Sequence, residues 1–358
     1  MSDYDDYHVY VKTDHSHEIT KFFDVLKEML NDVNLEFIRC PDQEQKILNK
    51  SILKKKQEDS DEEKKSDDES SDDSSSEEDK KSKKKVVAKS PEKKTKSSGG
   101  MRIVAMDNQK TILIYARLFA DEFTDFYVKS EKYNIQLNLI EFSNFLKTVD
   151  RESIMTMYVD KYDENILKFE MDNEEKHYND VFSQKIMDSK IEENKIPQDS
   201  NFDIVVIMSS VDFRNLCSKL ITFSQKVEIT CTLKSITFSA ITDEPNPKTI
   251  FSRTYKNHTA NVRIASGDKD NKKKINMVQA VYQLKHLTTF GKCVNLCSEM
   301  QLFLKNDYPL FVQYTIGNLG KLLVGLIPVN LKTIKKSSNY DDANDEYYDH
   351  TNPIIKNT

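Results

Sequence analysis

Glycine is scarce in this chain, with seven in 358 residues, and tryptophan is absent. Phosphate-binding loops and dinucleotide-binding turns need glycines at close, fixed spacings, and the sequence has no such cluster. It also lacks HExxH and GxSxG motifs and any clustered catalytic set of Asp and Glu. The histidines are scattered, and His286 fits a surface position better than the role of a base. We therefore expect a protein that is not an enzyme and needs no cofactor.

Long apolar runs are missing as well. No segment approaches the roughly 20 apolar residues of a membrane-spanning helix, and the start, MSDYDDYHVYVK, lacks the pattern of a secretory signal. The sequence thus predicts an intracellular protein with no membrane contact. The five cysteines stand singly, and two neighbouring thiols alone do not make a zinc site. We expect reduced, buried thiols and no metal site; the cysteines are Cys40, Cys217, Cys231, Cys293 and Cys297.

One segment carries much of the charge. From about residue 41 to 100, Lys, Glu, Asp and Ser dominate, and the stretch DSDEEKKSDDESSDDSSSEED has no apolar residue. This composition cannot bury enough surface to offset the entropy of ordering, which predicts a disordered insertion in a loop. The serines of its acidic half are candidate phosphorylation sites for acidophilic kinases. Its basic half resembles a nuclear localisation signal or a weak nucleic-acid contact. A tolerated loop expansion explains the segment equally well.

Outside that segment one unit recurs four times: an amphipathic helix followed by two short strands. The strands alternate, which favours antiparallel sheets with one covered face. The pattern predicts an α+β protein of two similar domains, residues 1–185 and 204–330, with a connector at 186–203 and an acidic, flexible tail at 331–358. The helix stripes are Ile19, Phe22, Phe23, Leu26, Met29 and Leu30; Leu139, Phe142, Phe145 and Leu146; Phe213, Leu216, Cys217 and Leu220, behind a cap at SSVD; and Val281, Leu284 and Leu287.

Four stretches resemble the proliferating cell nuclear antigen family of DNA sliding clamps. They are MRIVAMDNQKTILIYARL (101–118), the run from MDSKIEENKIP to RNLCSKL (187–220), KVEITCTLKSITFSA (226–240) and the run from VQAVYQLKHL to LLVGLIP (278–328). The resemblance covers roughly residues 7–330 without the insertion. It implies the DNA clamp fold, in which each of two similar domains packs two helices on antiparallel sheets and the subunits form a ring. The Lys-, Asn- and Ile-rich composition suggests an AT-rich genome, such as that of a large DNA virus or a protist.

The resemblance also implies that the helices line the hole of the ring and face double-stranded DNA without reading its sequence. Lys and Arg on these helices would supply attraction to phosphates. Asn144 and Ser218 depart from the family's basic pattern, which predicts a weaker or differently placed inner charge. An ordinary solvated helix face is the alternative for each residue. The candidate DNA contacts are Lys21, Lys27, Lys147, Arg214, Lys219, Lys285 and Lys292.

A second implied site is an apolar pocket beside the connector, where client proteins insert a short clamp-binding motif. The clients would include a DNA polymerase and the clamp loader. Asn194 stands where the family has an aliphatic residue and Gly325 where it has an aromatic one, so the pocket should have its own shape. Met106 and Leu113 fit ordinary core positions equally well. The candidate pocket residues are Met106, Lys110, Leu113, Ile196, Pro197, Pro309, Ile327 and Pro328.

The third implied feature is head-to-tail assembly of three subunits through edge strands, one from each domain. The segments that match are 165–171 and 248–254, with Ile166, Phe169, Ile250 and Phe251 as the candidate interface residues. Two alternatives remain open: a subunit of a heterotrimeric, checkpoint-type clamp, and a scaffold with this fold that does not encircle DNA. The ring would work in the nucleus or, for a viral protein, at the site of viral DNA replication.

Overall fold

The computed structural model describes residue 4 and residues 6–41, 99–107, 109–150, 152–187, 202–242, 251–267 and 277–329. The predicted tail, most of the predicted insertion and connector, and Ile196, Pro197 and Ile250 lie outside these residues. Within the described part of the chain, no helix has the length and apolarity to cross a membrane.

The first half runs strand, helix, five strands, helix, three strands. Its strands are β1 (Tyr7–Thr13), β2 (Asp32–Ile38), β3 (Gly100–Met106), β4 (Ile112–Phe119), β5 (Asp125–Val128), β6 (Lys132–Asn138), β7 (Ile154–Asp160), β8 (Ile166–Asn173) and β9 (Tyr178–Lys185). Its helices are α1 (Ser16–Lys27), which follows β1, and α2 (Leu139–Leu146), which follows β6. A short 3-10 helix, Ala120–Glu122, separates β4 from β5.

The second half repeats the same order. Its strands are β10 (Ile204–Ser209), β11 (Lys226–Cys231), β12 (Ser235–Ile241), β13 (Ser252–Lys256), β14 (Val262–Ser266), β15 (Val278–Gln283), β16 (Glu299–Leu304), β17 (Leu310–Ile316) and β18 (Gly320–Leu326). Its helices are α3 (Ser210–Leu220) after β10 and α4 (Leu284–Gly291) after β15, and a 3-10 helix, Lys292–Asn295, follows α4 directly. The fourfold helix-strand-strand unit predicted from the sequence is therefore present.

The described strands form three antiparallel sheets. In the first half the order β5-β1-β7-β8-β9 makes one sheet, and in the second half β13-β12-β11-β15 makes another. The remaining nine strands join both halves in the order β14-β10-β16-β17-β18-β4-β3-β2-β6. The helix stripes and the inner sheet faces share one hydrophobic core, which leaves the other faces of the helices and the sheets to solvent.

Local sequence explains where the helices begin. Ser209 precedes α3, and its side chain accepts a hydrogen bond from the backbone N–H of Asp212 at 3.3 Å, as the SSVD cap predicts. Asn138 caps α2 by accepting from the N–H groups of Ile140 and Glu141, at 3.0 Å each. The apolar stripe predicted for the fourth helix begins one residue of the list too early, at Val281. Val281 is buried, but it belongs to β15, and α4 begins at Leu284.

The prediction of the first-half edge strand was wrong. β8, which contains Ile166 and Phe169, lies between β7 and β9, and the Phe169 side chain is 1% exposed in the core. The edge beyond β8 is β9, whose sequence YNDVFSQK is mostly polar and lacks the apolar alternation of the other strands. In the second half β13 is one of the two edge strands of its sheet, and Phe251 directly precedes it.

The two halves are joined by the pairing of β18 with β4. Seven residue pairs connect these strands, from Gly320 opposite Leu118 to Leu326 opposite Ile112. The backbones come close at one end, because a Cβ added to Gly320 would lie 2.0 Å from the Arg117 carbonyl oxygen. A residue without a side chain is therefore required where the second half meets the first.

We predict that Gly320→Ala lowers the free energy of unfolding by roughly 1–3 kcal/mol, because the added methyl group must push the two strands apart. Lys321→Ala is the matched control, since Lys321 is the exposed neighbour on the same strand and its change should stay within about 0.5 kcal/mol. Urea denaturation measures both. Equal stability of the two variants would contradict the close approach at this junction.

Candidate nucleic-acid interface and partner pocket

In the first half, α1 and α2 are joined by a polar contact at their seam. The Lys27 ammonium donates to Ser143 Oγ at 2.8 Å, and Ser143 Oγ donates to Asp24 Oδ1 at 2.8 Å. Lys27 also lies 3.4 Å from Asp24, and its side chain is only 22% exposed. Of the predicted DNA contacts, Lys27 is thus largely engaged within the fold, whereas Lys147 is exposed directly after α2.

In the second half, α3 and α4 pack closely. A Cβ added to Gly291 would lie 3.2 Å from the Arg214 Cα, so glycine permits the contact. Arg214, Lys219 and Lys285 are exposed on the outer surface of this helix pair. Lys292 was predicted to share a helix face with Lys285, but α4 ends at Gly291 and Lys292 begins the 3-10 helix that follows.

Lys292 connects the two helix pairs. Its ammonium forms an ion pair with Glu28, which directly follows α1. The Lys292 side chain remains 53% exposed, so a nearby phosphate could still reach it. Surface ion pairs of this kind contribute little to stability, so this one marks where the two helix pairs meet and does not hold them together.

Positive charge is uneven along the helix layer. In the first half α1, α2 and the residue after each carry more acid than base: Glu18, Asp24, Glu28 and Glu141 against Lys21, Lys27 and Lys147. In the second half the base exceeds the acid: Arg214, Lys219, Lys285 and Lys292 against Asp212. Attraction of a polyanion to this surface is therefore expected to come mainly from α3 and α4.

An open cleft of about 650 Å³ lies where α4 faces the first half. Three carboxylates line it, Glu28, Asp32 and Asp107, together with Lys285 and His286. Burial and the adjacent Lys285 lower the pKa of His286, although Asp107 opposes the shift. His286 is therefore neutral at pH 7 and the cleft carries net negative charge, so the cleft does not extend the basic surface.

The candidate pocket lies on the outer face of the nine-stranded sheet. Cross-strand pairs place Met106 opposite Leu113, Leu113 opposite Gly325, and Gly325 opposite Phe311. Met106 and Leu113 are half-buried rather than core residues. Ile327, directly after β18, is 48% exposed, and its N–H donates to the Thr111 carbonyl at 3.1 Å. Pro328 follows Ile327, and Pro309 precedes β17.

Phe311 accounts for the missing aromatic residue at Gly325. A Cβ at Gly325 would lie 2.8 Å from Phe311 Cε1, so the Phe311 ring occupies the space over the glycine. The rings of Phe202, Phe303 and Tyr308 pack around Phe311, with centroid distances of 5.2–6.0 Å within the group. This aromatic group was not predicted, although alternation in PLFVQYTI already places Phe311 on the face opposite Leu310 and Val312.

The turn between β3 and β4 is held by Asp107. Its carboxylate accepts from the N–H groups of Thr111 and Ile112 at 2.6 and 2.7 Å and from the Thr111 hydroxyl at 2.9 Å. Burial alone would raise the Asp107 pKa, but these hydrogen bonds together outweigh it and lower the pKa. The turn fixes Lys110 at a φ of +54° beside the pocket.

The cysteines follow the sequence prediction closely. Cys40, Cys217, Cys231 and Cys293 are buried, Cys297 is half-buried, and all five are free thiols. Burial raises the pKa of Cys231 to about 12, which keeps the thiol protonated and unreactive. Among the described residues no group of His, Cys, Asp and Glu is arranged to hold a metal ion.

We predict that Ser143→Ala lowers the free energy of unfolding by about 0.5–1.5 kcal/mol, because Asp24 and Lys27 lose the hydrogen-bond partner that they share at this partly buried seam. Ser218→Ala is the matched control on the exposed face of α3 and should be near neutral. Urea denaturation of both variants measures the difference. A neutral Ser143→Ala would mean that the seam is not held by this contact.

Two family models match adjacent parts of the chain, residues 84–329 together. The N-terminal domain of proliferating cell nuclear antigen matches residues 84–194, and the C-terminal domain of the same family matches residues 195–329. The solved structure of proliferating cellular nuclear antigen from Entamoeba histolytica superimposes with a TM-score of 0.64 at 16% identity, covering 90% of this chain and all of that one. That likeness establishes the clamp fold.

Two viral proteins are similar in sequence. The "Probable DNA polymerase sliding clamp" of Acanthamoeba polyphaga mimivirus is 27% identical over 240 residues, 66% of this chain. The match spans only 48% of that relative's length. The "Probable DNA polymerase sliding clamp 1" of Paramecium bursaria Chlorella virus 1 is 25% identical over 235 residues, which is 64% of this chain and 84% of the viral protein.

Proposed function

The chain belongs to the proliferating cell nuclear antigen family, and on that premise we propose that it is a DNA sliding clamp. It encircles duplex DNA and tethers a DNA polymerase, and with it other replication and repair proteins, without chemistry of its own. The names of the two viral relatives, both called DNA polymerase sliding clamps, support this function. The clamp works where DNA is replicated, in the nucleus or at a viral replication site.

The proposal rests on an internal repeat: the strand contact that joins the two halves has an equivalent pair of strands that lie at sheet edges. Within the chain, β18 of the second half pairs with β4 of the first. The equivalent strands are β9, third after its half's second helix, and β13, third after its half's first helix, and both are sheet edges among the described strands. The contact that joins the halves can therefore repeat between copies. Repetition of one heterologous contact closes a ring when the rotation between copies permits it, and we propose a homotrimer of two-domain chains.

The helix layer faces the DNA in such a ring. Its exposed cations bind phosphates without reading bases, as a protein that slides requires. Lys147, Arg214, Lys219 and Lys285 are exposed and Lys21 is half-buried. None of the five forms an ion pair with another described residue, and they carry most of this attraction. Lys27 contributes less, because it is engaged with Ser143 and Asp24.

The apolar row on the outer sheet face receives client proteins. A short motif with aliphatic and aromatic anchors packs beside Ile327 and Leu113, next to the buried Phe311 ring, which fills the space over Gly325. Exposed apolar side chains on an otherwise polar surface are typical of such binding sites. The polymerase and the clamp loader are the clients that the function requires.

We predict that Lys285→Glu with Arg214→Glu weakens binding to duplex DNA and lowers the slope of log K against log[salt] by about 1 for each phosphate that the variant no longer binds. Lys321→Glu is the matched control, because Lys321 is exposed on the outer face of β18. Fluorescence anisotropy over a salt series measures both. An unchanged slope in the double variant would exclude the helix layer as the DNA-facing surface.

We predict that Ile327→Ser weakens binding of peptides with one aliphatic and two aromatic anchors by about tenfold. Ile140→Ser is the matched control, since Ile140 is 50% exposed on α2, away from the pocket, and Ile327 is 48% exposed. Calorimetry with a peptide selected from a library of this pattern measures both. Equal affinity for the two variants would place the client site elsewhere.

A further inference from the structure

We propose that copies of this chain join in one specific register, in which Asp180 of one copy pairs with Arg253 of the next and Phe182 packs against Phe251. This inference rests on the proposed ring and adds the residues that determine which edges can pair. It makes the assembly self-complementary, so that the second edge needed to close each contact is on the same chain.

The register follows from equivalent positions in the two halves. The first strand of each half has three buried positions, and the middle ones are Val11 and Val206. From each of these positions, a row of directly opposite residues crosses the sheet to its last strand. The row is Val11, Met157, Phe169 and Phe182 in the first half, and Val206, Leu302, Val312 and Val324 in the second. Phe182 on β9 is thus equivalent to Val324 on β18.

The other side of the contact follows in the same way. The middle buried positions of β2 and β11 are Leu35 and Ile229. The row from each reaches the strand that accepts the neighbouring half: Leu35, Ile103 and Ala116 in the first half, and Ile229, Phe238 and Arg253 in the second. Arg253 is thus equivalent to Ala116, and Phe251, two residues earlier, to Ile114.

The observed junction between β18 and β4 then defines the pairs. There Val324 lies opposite Ile114 and Leu322 lies opposite Ala116, and all four are at most 1% exposed. Transferred to β9 and β13, the same register sets Phe182 opposite Phe251 and Asp180 opposite Arg253. A Phe–Phe contact and an ion pair replace the two apolar pairs of the internal junction.

The aromatic rings at both edges are already ordered by stacking within each half. Phe182 stacks on Phe145 at 4.6 Å with an interplanar angle of 11°, and Phe251 stacks on Phe223 at 5.0 Å and 4°. Both edge rings are only half-buried, whereas their equivalents at the internal junction are fully buried. Pairing of the edges would therefore bury two aromatic rings that are already ordered.

Charge makes the contact directional. Asp180 is exposed, Arg253 is half-buried with its guanidinium carbon 5.9 Å from the Phe251 ring centre, and neither forms an ion pair with another described residue. A wrong contact of β9 with β9, or of β13 with β13, would bring like charges together in this row. Of the pairings that these two edges allow, the complementary one joins the first half of one copy to the second half of another.

The first test is a charge exchange. Asp180→Arg alone and Arg253→Asp alone should each raise the Kd of self-association at least about tenfold, because each sets like charges opposite one another. The double variant, Asp180→Arg with Arg253→Asp, should restore association to within about threefold of the original chain. Light scattering over a concentration series measures the Kd, and circular dichroism confirms that each variant is folded. Failure of the double variant to recover would overturn the pairing.

The second test fixes the register by disulfide formation. Val181 and Ser252 are exposed and equivalent to Leu323 and Tyr115, which face each other at the internal junction. Val181→Cys with Ser252→Cys should therefore give chains linked by disulfides on mild oxidation, while Val181→Cys with Thr254→Cys, two residues out of register, should not. The original chain, with its own five thiols, is the background control.

The outcomes separate this inference from the function on which it rests. Preferential linkage through position 254 would overturn the register and leave the ring intact. A monomeric original chain with no linkage in either double variant would overturn both the register and the ring. Linkage through position 252 in a chain that leaves end-blocked duplex DNA as readily as open DNA would uphold the register and count against the sliding clamp.

Discussion

The pairing of β18 with β4 is the contact on which the rest of the structure depends. It merges strands from both halves into one nine-stranded sheet, and it sets the helix pairs side by side, where Lys292 meets Glu28. Because each half has the same order of elements, the same kind of strand pairing can form between copies. The requirement for glycine at position 320 marks how closely the two strands must approach.

The helix layer and the outer pocket differ in how precisely their side chains must be placed. The core positions are fixed by the three sheets, whereas positive charge on the helix layer is concentrated on α3 and α4. The proposed sliding function tolerates this uneven charge, because phosphate attraction is long-ranged and needs no fixed geometry. The function proposed for the outer pocket depends on a specific shape. The space over Gly325 is filled by the buried ring of Phe311 from β17, so the shape of the proposed client site is set from a different strand.

Features encoded within a few residues could be predicted from the sequence. The apolar stripe of α3 and its cap at Ser209 were correct, because helical spacing and capping are local. Features that depend on distant contacts were missed. β9 carries few apolar residues, so its role as an edge emerged only from the sheet order, and the contact of Lys27 with Ser143 requires two helices 116 residues apart in sequence.

The central claim is that the assembled chain surrounds DNA. The most direct measurement is retention on linear duplex DNA after both ends have been blocked by bound protein, in salt high enough to screen phosphate contacts. A ring that has threaded over a free end will stay on the DNA when the ends are then blocked and will leave when they are open. Equal release from blocked and open DNA would contradict encirclement.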